Sequence, residues 1–345
     1  MSYEQRACSL LIAHYPKPKK IIMKKSIVGI GSALVDILTR IDNDGILEEL
    51  NIPKGSMQLV DEKSSAVIES KLTAYESSMA PGGSAANTIH GLATLGVESG
   101  FISYLGKDEI GRFFEESMNS AGVKPLVFHT DTASGTARTI ISADGERTFA
   151  TNLGASLELN ENIITPELFK NWDYCYVEGY LIANKAVFTK TIATAKECGC
   201  KVVLDLASFN VVEDNREFLN ELLPQIDIIF ANEEEAKALT QMSAEDSLHY
   251  IADKVEIAIV KVGKKGSLIK RGEEVVTIGC NKVDVVDTTG AGDMYAAGFL
   301  YGLINGYDLE RCGTIGNHLA ESIIQVIGAK MDESRWNEFR RLARI

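Results

Sequence analysis

The chain has 345 residues, 45% of them apolar, with a formal net charge of −13 and a sequence pI near 5.0. It is long enough to bury a sizeable core as one large domain. It is too acidic to present the basic face that nucleic-acid phosphates require, so nucleic acid is excluded as a partner.

Six cysteines, at 8, 175, 198, 200, 280 and 312, are scattered through apolar segments rather than arrayed as a disulfide framework. They read as reduced thiols of a cytoplasmic protein. Cys198 and Cys200 flank one glycine and have no second Cys or His pair at ligand spacing, which argues against a metal role. The apolar run Cys8 to Ala13 is too short to cross a bilayer and no longer one follows, so no membrane partner is expected. Residues 1–22 read as an extension outside the fold, and residues 23–345 as the domain proper.

In chain order, Ser26 to Ile30 is apolar and β-rich and runs into the turn Gly29 to Asp36, which places Asp36 at a strand's carboxyl end. Pro81 to Asn87 is glycine-rich and opens a helix over Thr88 to Leu95, stopped by Gly96. Phe101 to Leu105 reads as a strand, followed by a helix Arg112 to Ala121. The Asp144-Gly145 pair turns Val127 to Ser142 back into Arg147 to Asn152 as a hairpin. That hairpin, with residues of about 37–60, is expected to form a small β lid (about 37–60 and 127–152) outside the main sheet. From Tyr174 onward the chain alternates: strands Tyr174–Val177, Val202–Leu206, Asp227–Phe230 and Ile257–Val262, and helices Val187–Cys198, Arg216–Leu222 and Glu233–Thr240. Such alternation implies βαβ crossovers, hence an α/β fold whose mostly parallel sheet is flanked by helices on both faces. Ligands of such sheets bind beyond the carboxyl ends of the strands.

The segment Val283 to Leu300 carries the chemistry. It reads as a strand, a glycine turn and an apolar helix. Gly290 and Gly292 let the backbone approach a ligand, and the first N–H groups of the helix have no internal partners and carry partial positive charge. An anion fits there. Asp293, in the first helical turn, is a carboxylate beside that anion hole and can take a proton from an attacking hydroxyl. Phosphoryl transfer asks for little more than positioning and charge neutralisation. The plainer alternative is that this run only starts a helix, with Asp293 favouring its dipole.

Through Asp287-Thr-Thr-Gly-Ala-Gly-Asp293 and Pro81-Gly-Gly-Ser-Ala-Ala-Asn87, two motifs some two hundred residues apart, the sequence resembles the ribokinase-like (PfkB) family of carbohydrate and nucleoside kinases from Ser26 to about Ala329. The resemblance implies a ribokinase-like fold and an ATP-dependent kinase. Asp293 would be the base, and the amides of Gly290, Ala291 and Gly292 the anion hole. Asn232 and Glu235 would hold Mg²⁺ and phosphates through water, although Asn followed three residues later by Glu is also a capping box. Lys261, Gly263 and Gly266 match the nucleotide loop, where the glycines serve equally as turn residues. Asn317, eleven residues before Gly328, matches a position beside the adenine. A monovalent cation, K⁺, near the Asp287 loop is a further family feature.

On the acceptor side the resemblance implies that Asp36 binds two sugar hydroxyls with charge-assisted bonds, while Gly82, Gly83 and Asn87 form the sugar-contacting turn. Ser32 to Asp36, Gly55 to Asp61, Asp144 to Arg147 and Glu178 to Leu181 look most like bacterial adenosine kinase-type members. Tyr180 there matches an aromatic that stacks on the nucleobase, and Arg147 would close over the transferring phosphate or serve as a solvated hairpin residue. The acceptor is then the primary hydroxyl of a nucleoside, with a free sugar as the alternative. No run of Arg or Lys stands near Asp36 or Gly82 to bind a phosphosugar.

A dehydrogenase reading fails because Leu34 stands where the third glycine of the dinucleotide fingerprint belongs, and no P-loop match exists. A non-catalytic nucleoside- or sugar-binding protein is the rival from another class. A lid edge could close one pocket or pair with another subunit, leaving both a monomer and a lid-mediated homodimer open.

Overall fold

The computed structural model describes residues 25–345; the expected extension over residues 1–22, with Cys8, lies outside them. Its strands, in chain order, are β1 Ile27–Ile30, β2 Leu34–Arg40, β3 Met57–Leu59, β4 Ser77–Gly82, β5 Ser99–Gly106, β6 Val123–Thr130, β7 Gly135–Ile141, β8 Arg147–Asn152, β9 Tyr174–Glu178, β10 Lys201–Asp205, β11 Ile228–Asn232, β12 Ile257–Lys261, β13 Ser267–Arg271 and β14 Glu274–Ile278. They form a nine-stranded sheet in the order β14-β13-β12-β11-β10-β9-β1-β5-β6 and a five-stranded sheet in the order β3-β8-β7-β2-β4. From β12 across to β6 every pairing is parallel; β13 and β14 add an antiparallel edge.

The parallel strands are near-continuous apolar runs because helices cover both faces. Residues such as Tyr174 to Glu178 and Ile257 to Val260 are buried throughout. One core cluster unites Phe101, Tyr176 and Phe230 with Phe299 and Leu300 of the helix Ala291–Ile304. The other unites Val177, Val203's neighbours Val202 and Leu204, and Val260 with Val187 and Phe188 of the helix Lys185–Glu197. A third, smaller cluster around Ile41, Ile68 and Ile140 underlies the five-stranded sheet.

Three expectations need correction. Asp36 does not end a strand of the main sheet: β1 stops at Ile30, and Asp36 sits within β2, between Ala80 of β4 and Ala137 of β7. Residues 127–130 do not join the hairpin; they belong to β6, paired in parallel with β5, and the second sheet instead takes β4, whose Ser-rich sequence carries no alternating signal. Val283 to Val286 is irregular rather than a strand, with Val285 and Val286 exposed, and it is tied to the helix Leu309–Ile323 region by Val286 N and Asp287 N donating to Ile324 O. Among the described residues no helix is long and apolar enough to cross a membrane, and Cys175, Cys198, Cys200, Cys280 and Cys312 are free.

Candidate active site

The carboxyl ends of five neighbouring parallel strands converge on one cleft. β1 delivers Gly31 and Ser32, β9 Glu178, β10 Asp205, β11 Asn232 and β12 Lys261. The strand order reverses at β1, where such sheets open a crevice. A cavity of about 830 Å³ lies over the ends of β10, β11 and β12. Its walls include Asp205, Asn232, Glu235, Lys261, Gly263, Gly266, Gly290, Ala291, Gly292, Asp293 and Asn317, so residues spread over more than a hundred positions face one space.

Gly290 takes a left-handed conformation (φ 76°) and lets the chain turn into the helix Ala291–Ile304. Of the three amides expected to receive an anion, that of Ala291 closes the turn by donating to Thr288 O at 3.2 Å. The amides of Gly290, Gly292 and Asp293 have no acceptor among the described residues, so two of the three expected donors are open and the amide of Asp293 replaces that of Ala291. A Cβ built on Gly292 would lie 3.1 Å from Lys261 Nζ, which puts the ammonium directly over the turn.

Asp293 is partly buried and faces the cavity. Ser84 Oγ donates to its Oδ1 at 2.7 Å and Asn87 Nδ2 to its Oδ2 at 2.9 Å. Burial raises its pKa to about 6 against these two bonds and the pull of Lys261. A carboxylate so poised is a stronger base than a solvated aspartate and is still ionised at neutral pH.

Asn232 and Glu235 form a complete capping box: Asn232 Oδ1 accepts from Glu235 N at 2.8 Å, and Glu235 Oε2 accepts from Asn232 N at 2.7 Å. Asn232 Nδ2 donates to Glu235 Oε1 at 2.6 Å. Both of the readings allowed by the sequence are therefore compatible, since the closed box still faces the cavity. Burial lifts the Glu235 pKa to about 7 despite the pull of Lys261. Lys261 lies 3.3 Å from Asp205 Oδ2. Burial alone would lower its pKa, but the Asp205 and Glu235 carboxylates more than offset this and leave it raised. These oxygen donors fit a hard divalent cation held through its water shell, because both Glu235 oxygens are already engaged.

Gly263 and Gly266, both at positive φ, form the turn between β12 and β13 and border the cavity. Asn317 is buried and donates to Gly279 O at 2.9 Å at the far end of the same space. Arg147, from the second sheet, reaches the Asp287 carboxylate, which also accepts from Thr289 N at 3.0 Å and Gly328 N at 2.6 Å. Burial opposes ionisation of Asp287, yet the Arg147 guanidinium and these amides hold its pKa below the ordinary range. The guanidinium is thus neither solvated nor free.

A second cavity, about 490 Å³, is bordered by Asp36, Leu38, Arg40, Glu76, Ser78, Gly328 and Lys330. Asp36, Leu38 and Arg40 alternate onto one face of β2. The Asp36 carboxylate lies against Gly82: a Cβ there would sit 2.3 Å from Asp36 Oδ1, so only glycine fits. Burial raises Asp36 to about 6 against the attraction of Lys330. Gly83, at φ 95°, caps the helix Ser84–Thr94 that carries Asn87. Arg40 and Lys330 correct the expectation of an acceptor side without cations: they come from distant parts of the chain and so formed no run. Tyr180 is 43% exposed, with its hydroxyl 3.4 Å from Ala207 O. Its ring therefore stands beside the larger cavity, which Ala207 borders, and not within the Asp36 cavity.

Sequence reasoning missed Ser84, Glu178, Asp205 and Lys330. Ser84 and Glu178 lie inside quoted motifs, and Asp205 ends a recognised strand, so the strand-end rule reaches it. Lys330 follows the Gly328-Ala329 pair and carries no signal of its own.

Residues 56–335 match the model of the pfkB family carbohydrate kinases. The chain belongs to the PfkB family. Its PfkB relatives include an adenosine kinase of Saccharomyces cerevisiae, 28% identical, with 89% of this chain and 96% of the relative covered. Two solved structures superpose closely. The adenosine kinase of Sinorhizobium meliloti is 32% identical with a TM-score of 0.81, covering 92% of this chain and 99% of that one. A probable sugar kinase of Rhizobium etli is 30% identical with a TM-score of 0.82, covering 93% and 99%. The PfkB chain described here is an ATP-dependent carbohydrate or nucleoside kinase with a ribokinase-like α/β fold. Membership of this family disposes of the non-catalytic binding protein as the rival reading.

Proposed function

We propose that this kinase moves the γ-phosphoryl group of ATP to the primary hydroxyl of a nucleoside, with Asp293 as the base. The observation that carries the reading is the position of Asp293. Its carboxylate borders the large cavity beside three unpartnered amides and Lys261, and it is gripped from the other side by Asn87, on the helix that leads out of the Gly82-Gly83 turn. The nucleotide occupies the large cavity, with its terminal phosphate at Gly290, Gly292 and Lys261 and its adenine toward Asn317. The acceptor lies against Asp36, Gly82 and Asn87. As the acceptor oxygen bonds to the γ-phosphorus, the bond from that phosphorus to the β,γ-bridging oxygen breaks and ADP leaves; the acceptor's proton passes to Asp293 Oδ, and the amides take up charge on the moving group. Mg²⁺ held through water at Asn232 and Glu235 would neutralise phosphate charge.

A nucleoside acceptor is supported by the similarity to adenosine kinases in sequence and in structure; Tyr180, outside the Asp36 cavity, adds nothing to it. A free-sugar acceptor is favoured by the polar second cavity, where Arg40, Glu76 and Ser78 accompany Asp36. ADP release is measured with adenosine, inosine, guanosine, ribose, fructose and fructose 6-phosphate, for wild type and Asp293→Asn. Turnover with ribosides that is lost in Asp293→Asn supports the proposal. Turnover confined to a free or phosphorylated sugar overturns the nucleoside assignment, and turnover unaffected by Asp293→Asn overturns the base. K⁺ at the Asp287 loop completes the cofactor proposal, and exchange of KCl for choline chloride tests it.

A further inference from the structure

One charged side chain at the centre of the site has no part in the scheme above. Lys330 Nζ donates to Asn87 Oδ1 at 3.0 Å, and Asn87 Nδ2 donates to Asp293 Oδ2 at 2.9 Å. An ammonium only donates, so only the carbonyl end of Asn87 can face it, and the NH₂ end is thereby turned toward Asp293. The alternative rotamer, flipped by half a turn, would present the Asn87 carbonyl to Asp293. A carboxylate facing N–H donors is held ionised; one facing a carbonyl is stabilised only as the protonated acid, which cannot accept a proton.

We propose that Lys330 is a positioning residue that fixes the orientation of the Asn87 amide and, through it, keeps Asp293 in its proton-accepting form. The inference rests on the reading of Asp293 as the base. Lys330 acts mainly through Asn87 rather than by its own charge, because the cation that pulls most on Asp293 is Lys261. The charged groups facing Lys330 are Asp36 from β2 and Asp293 from the helix Ala291–Ile304. On the helix Ser84–Thr94, His90 also feels it and is held neutral, its pKa taken to about 2 by burial and by Lys330. Arg40 and Glu76 border the same cavity. Burial lowers the Lys330 pKa to about 8 against the two carboxylates, so it is a cation throughout the range in which Asp293 titrates.

The test reads Asp293 in the full chain without nucleotide or acceptor, so it is independent of which substrate the enzyme takes. The chain is labelled at the aspartate side-chain carboxyl carbons with ¹³C, and Asp293 is assigned by the signal lost in Asp293→Asn. Lys330→Met is expected to raise the Asp293 midpoint by about one pH unit, and Lys330→Arg to restore it. Asn87→Ala raises the midpoint too, and Lys330→Met in that background adds little further shift. Asp36, which feels the charge of the same ammonium, shifts upward in Lys330→Met and serves as the control for a folded site. Lys330→Ala gives the same reading should the methionine variant not fold. An Asp293 midpoint that stays in place while that of Asp36 moves, or shifts that simply add in the double variant, overturns the proposal.

Discussion

Asp293→Asn is expected to remove activity and add stability in the same molecule. The folded chain holds Asp293 at about 6 against an ordinary value of 3.8. At about 1.4 kcal/mol per unit this difference amounts to roughly 3 kcal/mol by which the ionised carboxylate opposes folding. The folded-state pKa lies above the unfolded one, so the site adds no such penalty below pH 3.8. The penalty grows as pH rises from there to about 6 and is complete above it. Asparagine carries no charge; its oxygen can accept from Asn87 Nδ2 and its NH₂ donate to Ser84 Oγ, but these neutral bonds are weaker than those to a carboxylate, which offsets about 1 kcal/mol. The net expectation at pH 8 is a gain of about 1–2 kcal/mol. Urea unfolding midpoints of both proteins at pH 8 and pH 4 measure it, and the gain seen at pH 8 should vanish at pH 4. Removal of the general base should lower kcat by roughly 10²–10⁴-fold. A variant no more stable than wild type at pH 8, or equally stabilised at both pH values, would refute burial as the origin of the raised pKa. Undiminished turnover would refute the role of the residue.

The remaining expectations use the same geometry. The wild-type kcat/KM should fall as pH drops through about 6, because protonation of Asp293 removes the acceptor of the proton; a flat profile between pH 5 and 8 would contradict this. Asp36→Ala should raise the KM for the acceptor by about 10- to 100-fold, the worth of one or two charge-assisted bonds, with the KM for ATP unchanged. Glu235→Gln should raise the Mg²⁺ concentration needed for half-maximal rate, and Asn232→Ala should in addition cost about 1 kcal/mol in urea unfolding because it opens the capping box. Equal Mg²⁺ titrations for wild type and Glu235→Gln would leave that box a structural cap alone.

Much of the large sheet was legible because its strands are buried on both faces and alternate with helices of ordinary length. Tyr174 to Val262 shows this: each expected element is present within a few residues. The second sheet was harder. β4 reads Ser-Ser-Met-Ala-Pro-Gly and gains its place by pairing with β2, a tertiary effect that local pattern does not encode. Val283 to Val286 is the converse case, since valine favours strands but here the backbone is drawn off to Ile324. Within the site, glycine turns and helix starts announced Gly82, Gly83 and Gly290 because their backbone geometry constrains the residue type. Lys330 was silent, for its partners Asn87 and Asp36 lie 243 and 294 residues away and only the fold unites them.

Asp205, Glu235 and Asp293 line the large cavity, Asp36 lines the second, and Glu178 is buried; the site must nevertheless admit a polyanion, and the arrangement of these five carboxylates explains how. Glu178 is buried and spent on structure. It accepts from Ser32 N at 3.3 Å, in the link between β1 and β2, and from Ala85 N at 3.0 Å, at the start of the helix bearing Asn87. A Cβ on Gly31 would lie 2.5 Å from its Oε2, so the link can pass only as glycine. One side chain thereby sets the acceptor-side elements against the end of β9. Asp205 is answered by Lys261 on the nucleotide side, and Asp36 by Lys330 on the acceptor side. Glu235 is closed into its capping box. An incoming phosphate therefore meets Lys261 and unpartnered amides, while an incoming hydroxyl meets carboxylates already balanced. Asp293 alone stands where the two sides join, held by neutral donors rather than by a contacting cation. A salt-bridged carboxylate would be too weak a base. One held by Ser84 and Asn87, and raised by burial, keeps its basicity at the point where the proton leaves.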